Sequence, residues 1–204
     1  MGAVMKLTIA QVQNKLESLD FSNCPKPANN KGERGQWIQA LLGLPHSSDL
    51  QDLEDGELKV FTIGESIAVT QIKHCLDEII NKGICFKNSK VGLKLMGAVC
   101  ICFSRDNKYL GYVLLNSDNY PEEFKQMNED YNFISDRIRE SFQNRIHLRT
   151  ITGPNKLLQI RTKASKKGGQ YSPLIFENVV LKDKGMAFYL CPGFGRRLIK
   201  GADF

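Results

Sequence analysis

Asp52-Leu53-Glu54-Asp55-Gly56-Glu57-Leu58-Lys59 is an acidic turn that runs into an alternating segment. Beyond Gly56, apolar Leu58 and Val60 alternate with charged Glu57 and Lys59, a period of two that predicts a strand over Glu57–Ile63. Leu58 and Val60 then face a core, and Glu57 and Lys59 share the other face. The turn brings a second carboxylate, Asp52, beside Glu57. Two carboxylates held together suit a hard cation such as Mg²⁺, which retains waters and exchanges them for phosphate oxygens. A lysine next to them can orient a water or stabilise charge developing on phosphorus. An edge strand with one polar face accounts for the same spacing.

On the N-terminal side, Thr8 has the chemistry of a helix N-cap, ahead of Val12, Leu16 and Leu19 on one face. Asn23 to Asn30, with two prolines, reads as a loop. A second helix is expected from about Glu33 to Leu42, closed by Gly43 and Pro45. On the C-terminal side, Ile72, Leu76, Ile79 and Ile80 follow helical spacing up to Gly83. Leu95–Phe103 and Tyr109–Leu115 read as strands joined by the polar turn Arg105-Asp106-Asn107-Lys108. Pro121 opens a long amphipathic helix carrying Phe124, Met127, Tyr131, Ile134, Ile138 and Phe142. Short strands are expected at His147–Thr152, Lys156–Lys163 and Ala187–Cys191, with a Lys-, Gly- and Ser-rich loop, Ser165 to Ser172, between the last two. Strands and helices interleave, which makes the fold class mixed α/β.

The 204 residues suit one domain or two closely packed lobes with a substantial core. No apolar run approaches a bilayer span and the start lacks a secretory pattern, so a cytoplasmic protein without a membrane partner is expected. Six cysteines are scattered without a CxxC pair and the three histidines lie far apart, which argues against a zinc site. His74 and His147 are assigned no role. The net charge is +6 and is uneven: Arg161 to Lys200 holds nine Lys or Arg against two acids. Such a block suits a polyanion, because each neutralised phosphate releases counterions. A solvated charged surface is the alternative.

Four segments, in order, resemble the MutH-type endonucleases. Lys31-Gly32-Glu33-Arg34-Gly35-Gln36-Trp37-Ile38 is similar to the family's Lys-Gly-x-x-Gly-Gln helix opening, and Glu57-Leu58-Lys59 to its Glu-Leu-Lys strand. Leu158-Gln159-Ile160-Arg161-Thr162-Lys163-Ala164 resembles its DNA-reading strand, and Ala187-Phe188-Tyr189-Leu190 the strand after it. The resemblance runs from Lys31 to Ile199. It implies a restriction-endonuclease-like mixed sheet flanked by helices, with a catalytic lobe over about 1–118 and a DNA-reading lobe over about 119–204. It implies Asp52, Glu57 and Lys59 as the Mg²⁺-dependent catalytic set, with Asp52 and Glu57 holding the metal. Lys31, Arg161, Lys163 and Tyr189 would contact duplex DNA, Arg161 and Lys163 at bases and Tyr189 where the family's nicking enzyme senses adenine methylation. Lys94 is the candidate second active-site lysine, with Lys90 as its competitor.

Two features depart from the family. The helix carries Gln39 where a glutamate near the metal is usual, and Asp49 competes with Asp52 for the aspartate position. The implied function is a type II restriction endonuclease cutting at a short site such as GATC, as a monomer or homodimer on DNA. A mismatch-repair strand-nicking enzyme with a repair partner is the first alternative. A sequence-specific DNA-binding protein with weak catalysis is the second.

Overall fold

The computed structural model describes residues 6–27, 32–45, 50–163, 173–181 and 185–199. Its architecture is mixed α/β, and it is not a barrel: one sheet is mixed, one antiparallel, and helices pack on both. The first sheet has the order β1-β3-β4, formed by Glu57–Thr62, Ala98–Phe103 and Tyr109–Leu115. Strand β1 runs parallel to β3, with Glu57 opposite Ala98 and Lys59 opposite Cys100, and β3 pairs with β4 antiparallel. The second sheet, antiparallel throughout, has the order β2-β9-β6-β5: Ile67–Gln71, Met186–Leu190, Leu158–Thr162 and Ile151–Thr152. A separate hairpin joins β7 (Leu174–Phe176) to β8 (Val179–Leu181). Although β2 comes from the first half of the chain, it belongs to the sheet that carries the C-terminal strands.

Alternation along β3 divides the apolar interior in two. Val99, Ile101 and Phe103 face one cluster, which takes in α1 (Ile9–Leu16) and α2 (Glu33–Leu42) through Val12, Leu16, Ile38 and Leu42. Ala98, Cys100 and Cys102 face the other, shared with the second sheet and with α4 (Pro121–Gln143). Strand β1 follows the same rule. Leu58 and Val60 join the α1–α2 side, while Glu57, Lys59 and Phe61 lie on the face toward the second sheet. That orientation puts the charged pair of β1 between the sheets.

Local chemistry explains most element ends. Thr8 caps α1 in a full capping box with Gln11, and Leu19, just past the helix end, packs beside Val12 and Leu16. Helix α2 closes at Gly43, which takes the left-handed conformation at φ 75°. Pro121 sits in the first turn of α4, and its expected apolar face is buried along its whole length.

Four expectations need correction. The helical spacing from Ile72 to Ile80 gives a 3₁₀ turn at Ile72–His74 and a π turn at Glu78–Lys82, not one continuous helix. The strand expected from Leu95 begins at Ala98, because Leu95 to Gly97 form the turn in which Gly97 N–H donates to Leu115 O. The strand expected from His147 is confined to Ile151–Thr152, the two residues opposite Ile160 and Gln159. Strands β7 and β8 stand between the last two expected strands, and the Ser165–Ser172 loop lies outside the described residues. Helix α5 (Pro192–Ile199) and strand β2 were not foreseen.

Candidate active site

The acidic turn is held against the body of the protein by its backbone. Leu53 N–H donates to Gly56 O at 2.9 Å, Glu54 N–H to Leu7 O at 2.9 Å, and Glu57 N–H to Gly97 O at 2.9 Å. Asp55 Oδ1 accepts from Ile9 N–H at 2.7 Å, tying the turn to the start of α1. No side chain fits at Gly56, since a β-carbon there would stand 2.1 Å from Gly97 O and 2.7 Å from Ile9 Cδ1. This packing decides where Glu57 enters the sheet.

Asp52 and Glu57 are then brought together. Asp52 N–H donates to Glu57 Oε2 at 3.2 Å, and Leu58 N–H donates to Asp52 Oδ2 at 3.4 Å. Glu57 is only 2% exposed, and its Oε1 accepts from Lys59 Nζ at 2.5 Å and from Lys94 Nζ at 2.8 Å. Burial, then the nearby charge of Glu57, pushes the Asp52 carboxyl above its ordinary value, against the pull of Lys59 and Lys94. Exposed Lys163 is near enough to feel the charge of the same two lysines. Its ammonium is pushed below its ordinary value first by desolvation and then by their repulsion. Three cations and two carboxylates thus share one locale contributed by the acidic turn, β1, the segment after α3 (Lys90–Leu93) and the end of β6.

Lys94 and Lys90 are separated by this geometry. Lys94 lies on Glu57, whereas Lys90 Nζ donates to His74 O at 2.6 Å and approaches Glu78 Oε1 at 3.8 Å.

A cleft of about 990 Å³ opens beside the cluster and reaches Lys59, Gln39, Lys163 and Tyr189. Its charged lining among the described residues is Lys26, Arg34, Lys59, Arg105 and Lys163 against one acid, Glu65. On the second sheet, Gln159 lies opposite Tyr189 and Arg161 opposite Ala187, so the polar side chains of β6 and β9 form one face. Ser66 Oγ accepts from Gln159 Nε2 at 2.9 Å and from Arg161 Nη1 at 3.2 Å, and the Arg161 guanidinium sits 5.4 Å from the centre of the Tyr189 ring. Arg161 is exposed, while half-buried Tyr189 has its hydroxyl pushed above its ordinary value by burial. Lys31 and Asp49 lie outside the described residues.

Sequence reasoning missed Arg34 and Ser66. Arg34 is 5% exposed, donates to Thr62 Oγ1 at 2.9 Å and Asn107 Oδ1 at 2.6 Å, and covers the Phe103 ring at 4.5 Å. It fastens α2 to the end of β1. Nothing in its local sequence distinguishes it from a solvated helix arginine. Ser66 belongs to the turn before β2, a strand that was itself not foreseen.

The donor set suits a hard dication. Two carboxylates from adjoining elements could supply oxygen ligands, and their mutual repulsion, felt at Asp52, would be relieved by a positive ion. Among the described residues no group of three or more His, Cys, Asp or Glu side chains is gathered for a metal. An ion held by Asp52 and Glu57 therefore relies on water and substrate oxygens for its remaining ligands, the usual arrangement for Mg²⁺. No helix among the described residues is long and apolar enough to cross a membrane. No family model matches the chain, and no curated protein matches it.

Proposed function

We propose that the protein is a Mg²⁺-dependent type II restriction endonuclease with a restriction-endonuclease-like fold, hydrolysing phosphodiesters in duplex DNA at a short site, with GATC the first to test. The observation that carries this reading is the cluster of Asp52, Glu57, Lys59 and Lys94, of which Lys59 lines a cationic cleft that also reaches Lys163 and Tyr189. Asp52 and Glu57 would hold the metal, which when bound would polarise the phosphodiester and make a water more acidic. Lys59 and Lys94 lie where they can orient that water and offset charge on the phosphate oxygens. Hydrolysis joins the water oxygen to phosphorus and breaks one P–O ester bond.

Arg161 in β6 and Lys163, just past its end, suit guanine O6 and N7 in the major groove. Lys31 and Tyr189 complete the DNA contacts in this reading, and the working compartment is the cytoplasm.

A second reading, a DNA-binding protein with weak catalysis, draws on neutral Gln39 in the cleft and on the two ammoniums that occupy Glu57 Oε1. Digestion of unmethylated and adenine-methylated phage DNA with Mg²⁺, followed by sequencing of fragment ends, separates them. Discrete fragments sharing one terminal sequence, lost in Glu57→Ala while binding in Ca²⁺ persists, support the restriction enzyme. Full cutting by Glu57→Ala overturns the site. Nicking confined to hemimethylated DNA and dependent on a repair ATPase favours the mismatch-repair alternative. Retention on DNA without cutting in Mg²⁺ or Mn²⁺ favours the binding protein.

A further inference from the structure

Two arginines far apart in sequence converge on one glycine at the rim of the cleft. Gly64 lies in the turn between β1 and β2, with φ 80° and Glu65 N–H donating to Thr62 O at 3.0 Å. A β-carbon at Gly64 would stand 3.4 Å from Arg105 Nη2 and 3.3 Å from Arg196 Nη2. Arg105 comes from the β3–β4 turn, closed by Ser104 N–H donating to Lys108 O at 2.8 Å. Arg196 comes from α5, which packs closely on the β1–β2 connection: a β-carbon at Gly195 would sit 3.4 Å from Phe61 and 3.7 Å from Ile67.

The convergence has no acidic partner among the described residues. Among the described residues neither arginine forms an ion pair or a side-chain hydrogen bond. Asp106, next to Arg105, pairs with Lys108 at 3.2 Å, and exposed Glu65 pairs with neither arginine. Arg197 turns away, over the Phe194 ring at 5.5 Å. The last turn of a helix favours a cation at position 196, but does not by itself aim it at a second guanidinium. Two guanidiniums at one point repel unless an anion joins them, and their planar forks suit the oxygens of a phosphate. Gly64 adds no side chain of its own beside the two guanidiniums.

We propose that Arg105 and Arg196 clamp one backbone phosphate of the bound duplex over Gly64, positioning the DNA in the cleft without reading its sequence. The assignment rests on the nuclease reading above. Anisotropy of a labelled duplex carrying GATC, titrated across a series of salt concentrations in Ca²⁺, tests it.

In Arg105→Ala/Arg196→Ala the slope of log K against log salt is expected to fall in magnitude by about one, with binding weakened alike on every sequence. Arg105→Lys/Arg196→Lys, which keeps both charges, should retain most of the slope, and Arg137→Ala on α4 should match wild type. A double alanine variant with the wild-type slope overturns the clamp and leaves the nuclease reading standing. Wild-type protein that neither binds nor cuts DNA overturns that reading and the clamp with it.

Discussion

Lys94 Nζ reaches Glu57 across 37 residues of sequence and lies 2.8 Å from Oε1, the same oxygen that Lys59 contacts. A carboxylate 2% exposed needs compensation for its charge, and here two ammoniums from different elements supply it. The arrangement also places two cations beside the oxygen that a metal would need, so under the proposed function metal entry would require the lysines to move.

If Lys94 serves the reaction, Lys94→Ala should slow DNA cleavage by about a hundredfold or more, the scale of losing one preorganised electrostatic group. Binding in Ca²⁺ should be nearly unchanged. Lys90→Ala should leave cleavage close to wild type, because Lys90 is engaged with His74 O and Glu78. Single-turnover cleavage of a defined duplex measures both, and equal losses in the two variants would remove Lys94 from the site.

Asp52 makes a stability prediction with a definite sign. Its carboxyl titrates above the ordinary 3.8, so the native protein keeps the proton at pH values where the unfolded chain has released it. Native stability therefore falls as pH rises from 3.8 through the raised value, and at neutral pH the ionised form carries the full cost. In EDTA, Asp52→Asn should melt higher than wild type at pH 7, with the difference shrinking below pH 3.8. Asparagine keeps an oxygen for Leu58 N–H, so the turn survives the change. Thermal unfolding that shows the variant less stable at pH 7 would contradict this account.

The grouping of the candidate residues was legible where chemistry and spacing coincide locally. Asp52, Glu57 and Lys59 lie within one turn and strand, and alternation correctly put Leu58 on the core side. Whether Lys94 or Lys90 meets Glu57 was not legible, because it depends on the turn after α3 rather than on either lysine's neighbours. Strand β2 has only five residues, and its role depends on pairing with a strand more than a hundred residues later. Helix α5 was hidden by Gly193 and Gly195, which lower helix propensity. Tertiary packing overrides that cost, since Phe194 and Leu198 are buried.

Arg161 should separate affinity from specificity. Its guanidinium is exposed, steadied by Ser66 Oγ and the Tyr189 ring rather than by a carboxylate. Arg161→Ala is expected to relax the preference for one base pair by about 1–3 kcal/mol. Selection of cleaved duplexes from a randomised pool, sequenced at their ends, reads this directly. Uniform loss on all sequences would make Arg161 a backbone contact instead.

The strand that carries Arg161 is itself held by a buried carboxylate. Asp130, in α4 and fully buried, accepts from the backbone N–H groups of Asn155 at 2.7 Å, Leu157 at 2.8 Å and Leu158 at 2.9 Å. A β-carbon at Gly153 would stand 2.2 Å from Asp130 Cγ, so this approach requires glycine. Asp130→Ala strands three backbone donors, two of them buried, and should cost about 3 kcal/mol or more in urea unfolding. Asp130→Asn keeps one oxygen acceptor but turns an amide N–H toward a donor, so it should remain well below wild type in stability. Gly153→Ala should destabilise by the same route, through displacement of Asp130. If Asp130→Asn unfolds at the wild-type urea midpoint, the three contacts do not hold the start of β6, and the position of Arg161 must depend on β9 instead.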